Sequence, residues 1–207
     1  MGLLPLLFQD PLTFVLLVIP LLYSIIIHEL AHGWVALRQG DPTAWYLGRL
    51  TLNPLRHLDP LGTAMLFLVG FGWAKPVPVN PRNIRNQRHG MMLVSSAGII
   101  ANISFAFLGL LAERIFALST DSSLGVMLYF FVQINIMLAA FNLIPIPPLD
   151  GSKIIADLLP YSARYWFDRI EPYGFFLIIG LLFFGFLTPL VAVIRAVISA
   201  LIMALLP

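Results

Sequence analysis

Leu21-Leu22-Tyr23-Ser24-Ile25-Ile26-Ile27-His28-Glu29-Leu30-Ala31-His32-Gly33-Trp34-Val35-Ala36-Leu37 sets two histidines and a glutamate inside an otherwise apolar run. Upstream the run reaches back to Leu12, with Asp10 as a helix cap and Pro11 at the first helical position. Downstream it stops at Arg38 and Gly40-Asp41-Pro42. One long helix from about Leu12 to Arg38 is predicted, with Pro20 placed to kink it. On a helix, residues four apart share a face, so His28 and His32 can offer two imidazoles to one metal ion. Glu29 stands beside that face, where a carboxylate can accept a proton from water. This is the HExxH pattern of zinc hydrolases. Three ionisable groups within five residues of so apolar a segment are costly in lipid and mark function.

Working outward, 59% of the 207 residues are hydrophobic and only 11% charged, with mean hydropathy +0.91. A soluble domain carries about 25% charged residues. The chain therefore reads as an integral, multi-pass membrane protein whose first partner is the lipid bilayer. It has no cysteine, which excludes disulfides, a thiol nucleophile and a thiolate-bound metal. Any metal must use histidine and carboxylate. The basic residues flank apolar runs and form no soluble module, so nucleic acid is not an expected partner. The N-terminus lacks the basic region and small-residue cleavage site of a secretory signal.

The fold class expected is all-α and polytopic, with about five to six transmembrane helices and a small membrane-associated β element. After the first span, Thr43 to Leu52 is short and rich in strand formers, and reads as a strand or hairpin. The run Leu61 to Trp73 is too short to cross a bilayer and suits a dipping segment. Lys75 to Pro81 is extended, because its prolines forbid a helix. Further spans cover Met91 to Leu118 and Leu124 to Ile144. A short helix from Gly151 to Leu159 and an interfacial stretch from Tyr161 to Glu171 follow. Two last apolar runs, Tyr173 to Leu187 and Leu190 to Leu206, are separated at Thr188-Pro189 and form either two short spans or one broken helix. Of the twelve Lys and Arg residues, all but Arg114 and Arg195 lie in connectors on one side of this topology, which makes that side cytoplasmic. His28 lies ten residues from Arg38, about 15 Å along a helix, so a metal there sits within the membrane and nearer the inside.

Catalytic zinc generally takes three protein ligands, and the two histidines leave one to find. Most acids fall in surface connectors. Asp150 differs: it follows Pro145, Pro147 and Pro148, which unwind a membrane helix and can turn a carboxylate inward. His57 reads as support for the loop around it, with metal ligation second, and His89 as a solvated surface residue.

With these residues in place, the chain resembles the site-2 protease family of intramembrane zinc metalloproteases, in its compact branch without a PDZ domain. The resemblance rests on His28-Glu29-Leu30-Ala31-His32 and on Leu149-Asp150-Gly151 after Asn142. It extends through Gly48-Arg49-Leu50-Thr51-Leu52-Asn53-Pro54, His57-Leu58-Asp59-Pro60-Leu61-Gly62-Thr63 and Gly72-Trp73-Ala74-Lys75-Pro76-Val77-Pro78-Val79-Asn80-Pro81. The final third matches only in hydrophobic character. One departure is Ile99, where the family commonly has proline between the glycine and the asparagine of Gly98-Ile99-Ile100-Ala101-Asn102. It bears on helix geometry and not on the metal ligands.

The expectation is a single intramembrane metalloprotease domain over 1–207, with a catalytic core of about 12–160 and C-terminal helices of about 173–206. His28, His32 and Asp150 would bind Zn2+ and Glu29 would be the general base. The resemblance implies regulated proteolysis of transmembrane protein substrates in a bacterial cytoplasmic membrane. It also implies that Asn142 donates a hydrogen bond to the oxyanion; a helix–helix bond is the other reading, since Asn135 and Asn142 are seven apart on one face. Ser95, Gly98 and Asn102 give their span a small polar face suited to packing on the HExxH helix. A strand at 44–52 could pair with an unwound substrate. The alternative to an enzyme is a catalytically silent membrane scaffold or chaperone that keeps the metal site. A homo-oligomer is left open.

Overall fold

The computed structural model of the protein describes residues 2–206, with only the backbone described at 161–163. A short helix α1 (Leu4–Gln9) stops at Asp10. The Asp10 carboxylate accepts the Thr13 amide (3.0 Å) and caps α2 (Pro11–Arg38). Pro20 lies buried inside α2 without ending it. The connector after α2 holds α3 (Thr43–Tyr46) and α4 (Pro60–Val69). Three long helices come later: α5 (Gln87–Phe116), α6 (Ser123–Asn142) and, at the end, α10 (Leu187–Leu205). Between α6 and α10 stand α7 (Asp150–Leu158), α8 (Tyr161–Ile170) and α9 (Gly174–Phe183).

Among the described residues, α2, α5, α6 and α10 are long and apolar enough to cross a membrane. At 1.5 Å per residue they measure from about 28 to about 45 Å. Helices α2, α5 and α6 pack on one another as a trio, and α10 lies against α6. Lipid tails are as apolar as leucine, so such helices adhere by close approach rather than by exclusion of water. Small residues permit it. Gly109 of α5 meets Val132 of α6 so closely that a Cβ would lie 2.6 Å from its Cγ2. The buried cluster continues through Ala139, Ala140 and Ile144 to Leu187, Val191, Ile198 and Ile202. Val15, Ile19, Leu108, Val193 and Leu201 face outward, as lipid contact requires.

The strand expected over 44–52 is not formed. Asp41 winds the chain there: its carboxylate accepts both the amide (3.1 Å) and the hydroxyl (2.5 Å) of Thr43, at the start of α3. The Arg49 amide then returns to the Ala44 carbonyl (2.9 Å), and Gly48 turns the chain at φ 62°. Only a single antiparallel bridge, Leu58 with Ala74, resembles strand pairing among the described residues. No strand edge at 44–52 is therefore available to a substrate. The C-terminal break also moves. It lies at Gly185 (φ 75°), and Pro189 falls in the first turn of α10, where a missing N–H leaves no helix bond unmade. The apolar run before it becomes α9, ten residues and about 15 Å long, too short to cross the bilayer alone.

Candidate metal centre

His28 and His32 project from successive turns of α2, and their rings meet edge to face. Asp150 reaches them from the first turn of α7. His28 Nε2 lies 3.0 Å from His32 Nε2, and Asp150 Oδ2 lies 3.1 and 3.2 Å from those two nitrogens. Tetrahedral zinc bonded at about 2.0–2.2 Å holds its ligand atoms about 3.3 Å apart, close to these edges. The site is deep: His28 is 7% and Asp150 8% exposed.

The hydrogen bonds behind the rings decide what the front atoms can do. His32 Nδ1 faces the Val94 carbonyl (2.7 Å), which can only accept, so the nitrogen carries the proton. His28 Nδ1 likewise donates to Asn102 Oδ1 (2.6 Å). With the rings neutral, as metal ligation requires, both Nε2 atoms present bare lone pairs to each other and to a carboxylate oxygen that has no other hydrogen-bond partner among the described residues. Three acceptors with no hydrogen between them repel unless a cation joins them. His28, His32 and Asp150 could hold a metal ion, and the two-nitrogen, one-oxygen set suits zinc.

Asp150 is placed by the chain that precedes it. Helix α6 ends at Asn142, and Pro145, Pro147 and Pro148 (with a cis bond between the last two) carry the backbone back to α7. The carboxylate then sits on the positive end of α7, which favours an anion. Gly151 fits because a Cβ would lie 2.8 Å from the Ile144 carbonyl oxygen. At the other end of α7, Arg88 of α5 gathers the carbonyls of Asp157, Leu158 (2.8 Å) and Leu159 (3.0 Å).

Asn102 is the residue the sequence undervalued. Besides holding His28, it donates to Asn135 Oδ1 (2.8 Å), and Asn135 donates in turn to Ser24 Oγ (2.7 Å). This buried chain pins α2, α5 and α6 together beneath the metal site. Isolated polar residues in three apolar helices were its only signal, and they do not say which face meets which. Gly98 was legible as a packing glycine, but its neighbours are the rings themselves. A Cβ there would lie 2.6 Å from His28 Nδ1 and 2.6 Å from His32 Nε2.

Glu29 lines the same cavity of ≈ 870 Å³ as His28, His32 and Asp150. One of its oxygens, Oε2, accepts the Val77 amide (2.8 Å) from the extended segment Lys75 to Pro81. Asn142 lines the cavity too, its amide donating to Leu138 O (3.0 Å), whereas Asn135 is the helix–helix bond. The cavity lining also carries Lys153, Arg164, Asp168 and Glu171. His57 is not among the metal candidates. It is buried, donates from Nε2 to Thr51 O (2.7 Å) and accepts the Lys75 amide at its carbonyl (2.8 Å), which ties the loop together.

Residues 111–185 match the family model described as "Peptidase family M50". A Bacillus subtilis protein named "Putative zinc metalloprotease YwhC" is 44% identical over 183 residues, covering 84% of this chain and 81% of its own length. "Putative zinc metalloprotease Rip2" of Mycobacterium tuberculosis is 34% identical over 158 residues, 73% of this chain and 60% of that protein. "Zinc metalloprotease MJ0392" of Methanocaldococcus jannaschii is 26% identical over 149 residues, 72% of this chain and 36% of that protein. No solved structure matches. With the HExxH helix and the carboxylate facing it, these likenesses establish that the chain belongs to peptidase family M50, the site-2 protease family of zinc metalloproteases.

Proposed function

We propose that the protein is a zinc metalloendopeptidase that cuts membrane-protein substrates within or near their transmembrane segments. The observation that carries this is the convergence of three lone-pair donors from α2 and α7, beside Glu29, in a cavity bounded by membrane-length helices. His28, His32 and Asp150 hold the ion. Bound zinc supplies Lewis acidity, polarising a carbonyl and acidifying water at neutral pH. Glu29 is the general base. The Val77 amide already occupies Oε2, which leaves Oε1 to accept a proton from water and return it to the departing amine. Asn142 keeps amide donor capacity toward the cavity, consistent with a hydrogen bond to the developing oxyanion.

A helix hides its carbonyls, so a transmembrane substrate must unwind before its peptide bond can enter the cavity. The gathering of basic residues in one set of connectors supports a reading in which the cavity opens toward the cytoplasmic side of a bacterial cytoplasmic membrane. The catalytic core is about 12–160.

The test is Glu29→Gln in purified, reconstituted protein with a single-span substrate. Zinc content should match wild type while cleavage disappears; retained cleavage removes Glu29 from this role. Asp150→Ala should lose the zinc. A fully loaded wild type that hydrolyses no membrane peptide would return the scaffold reading.

A further inference from the structure

A second cavity, of ≈ 600 Å³, opens in the connector that leaves α2, and three cations line it: Arg49, Arg56 and Lys75. Its described lining holds no carboxylate. Arg49 is 8% exposed, and its Nη2 donates to the Lys75 carbonyl (2.8 Å). Its Nε has no partner among the described residues. A buried guanidinium with an idle donor beside two further cations is unfavourable unless an anion joins it. Burial pushes the Arg49 guanidinium down from its usual value; Glu29 opposes this, and the neighbouring Arg56 cation adds to it.

The rim says what kind of anion. Leu47 (57% exposed) and Leu55 (78%) line the same cavity as the cations, together with Leu58. Bare leucines around a basic pocket suit an anion that carries its own hydrocarbon, and basic pockets at membrane boundaries take up acidic lipid headgroups. We propose that this cavity binds the phosphodiester headgroup of an anionic phospholipid, its acyl chains running over Leu47 and Leu55. An inorganic phosphate shares the charge chemistry but has no use for the leucines.

The pocket is joined to the metal centre through one piece of backbone. Lys75 is held by Arg49 and by the His57 carbonyl, and two residues on, Val77 holds Glu29. A headgroup on Arg49 and Lys75 thus steadies the strap that orients Glu29.

Delipidated full-length protein in neutral detergent, followed by native mass spectrometry, tests this with dioleoylphosphatidylglycerol, dioleoylphosphatidylcholine and inorganic phosphate. Phosphatidylglycerol should be retained about tenfold more tightly than phosphatidylcholine. Arg56→Gln with Lys75→Gln, both exposed, should abolish that preference while helix content by circular dichroism holds. Arg82→Gln with Arg85→Gln removes equal charge elsewhere and should leave it intact. Equal retention of the two lipids overturns the proposal, as does a preference undiminished in the first pair. Loss of the preference in both pairs reduces it to general surface charge. Phosphate binding without lipid retention, or retention of an acidic peptide in place of lipid, also refutes it.

Discussion

Gly98→Ala is the sharpest test of how the metal site is built. The added methyl would stand 2.6 Å from His28 Nδ1 and from His32 Nε2. Unbonded heavy atoms rest about 3.5 Å apart, so rings or helix must retreat by about 0.9 Å. Metal bonds tolerate about 0.2 Å. Retreat from α5 would stretch the bonds that Asn102 and Val94, one turn either side of Gly98 on that helix, make to Nδ1 of the two rings. The three donors therefore lose their common point. The expected result is zinc affinity weakened at least about a hundredfold, close to 3 kcal/mol, in chelator competition. Gly109→Ala, on α5 like Gly98, is the control, because it places a methyl 2.6 Å from Val132 of α6, away from the rings. It should lower thermal stability and leave zinc affinity alone. Wild-type zinc affinity in Gly98→Ala would refute the geometry; equal loss in both variants would show a general packing defect.

Asn102→Leu should weaken zinc binding about ten- to hundredfold, since it strips the acceptor from His28 Nδ1 and a partner from Asn135; competitive chelation measures it. Val77→Pro removes the amide that holds Glu29, and should cut turnover about tenfold with zinc content unchanged. Asp41 gives a pH dependence. Burial raises its carboxyl, but hydrogen bonds from Thr43, Asn83 and Asn80 outweigh that and hold it below its usual value. An acid depressed in the folded state contributes stability above its unfolded value of about 3.9, and that stability is lost as pH falls through the lower folded value. Thermal unfolding of wild type should therefore weaken from pH 5 toward pH 3 by more than that of Asp41→Asn.

The candidate metal site was legible because its determinants are local. The four-residue spacing of His28 and His32 fixes a helix face, and prolines before Asp150 announce a break at depth. The long spans were equally plain, from apolar length alone. Thr43 to Leu52 misled because strand propensity is expressed only beside a partner strand, and none is there; Asp41 wound the chain first. Pro189 misled for a related reason, since proline in a first helical turn breaks nothing, while Gly185 turns the chain. The bonds of Asn102 to His28 and of Val77 to Glu29 join residues 74 and 48 positions apart, and no single-chain pattern pairs them.

The grip of Arg88 on the last carbonyls of α7 reaches beyond that helix. Helix α8 leaves from that end, so Arg88 ties the chain at the foot of α7 to α5, the helix whose Val94 and Asn102 also hold the two histidine rings. Asp150 stands at the opposite tip of α7. One helix thus sets both imidazoles and the helix that carries the carboxylate facing them, so a displacement of α5 carries all three donors with it.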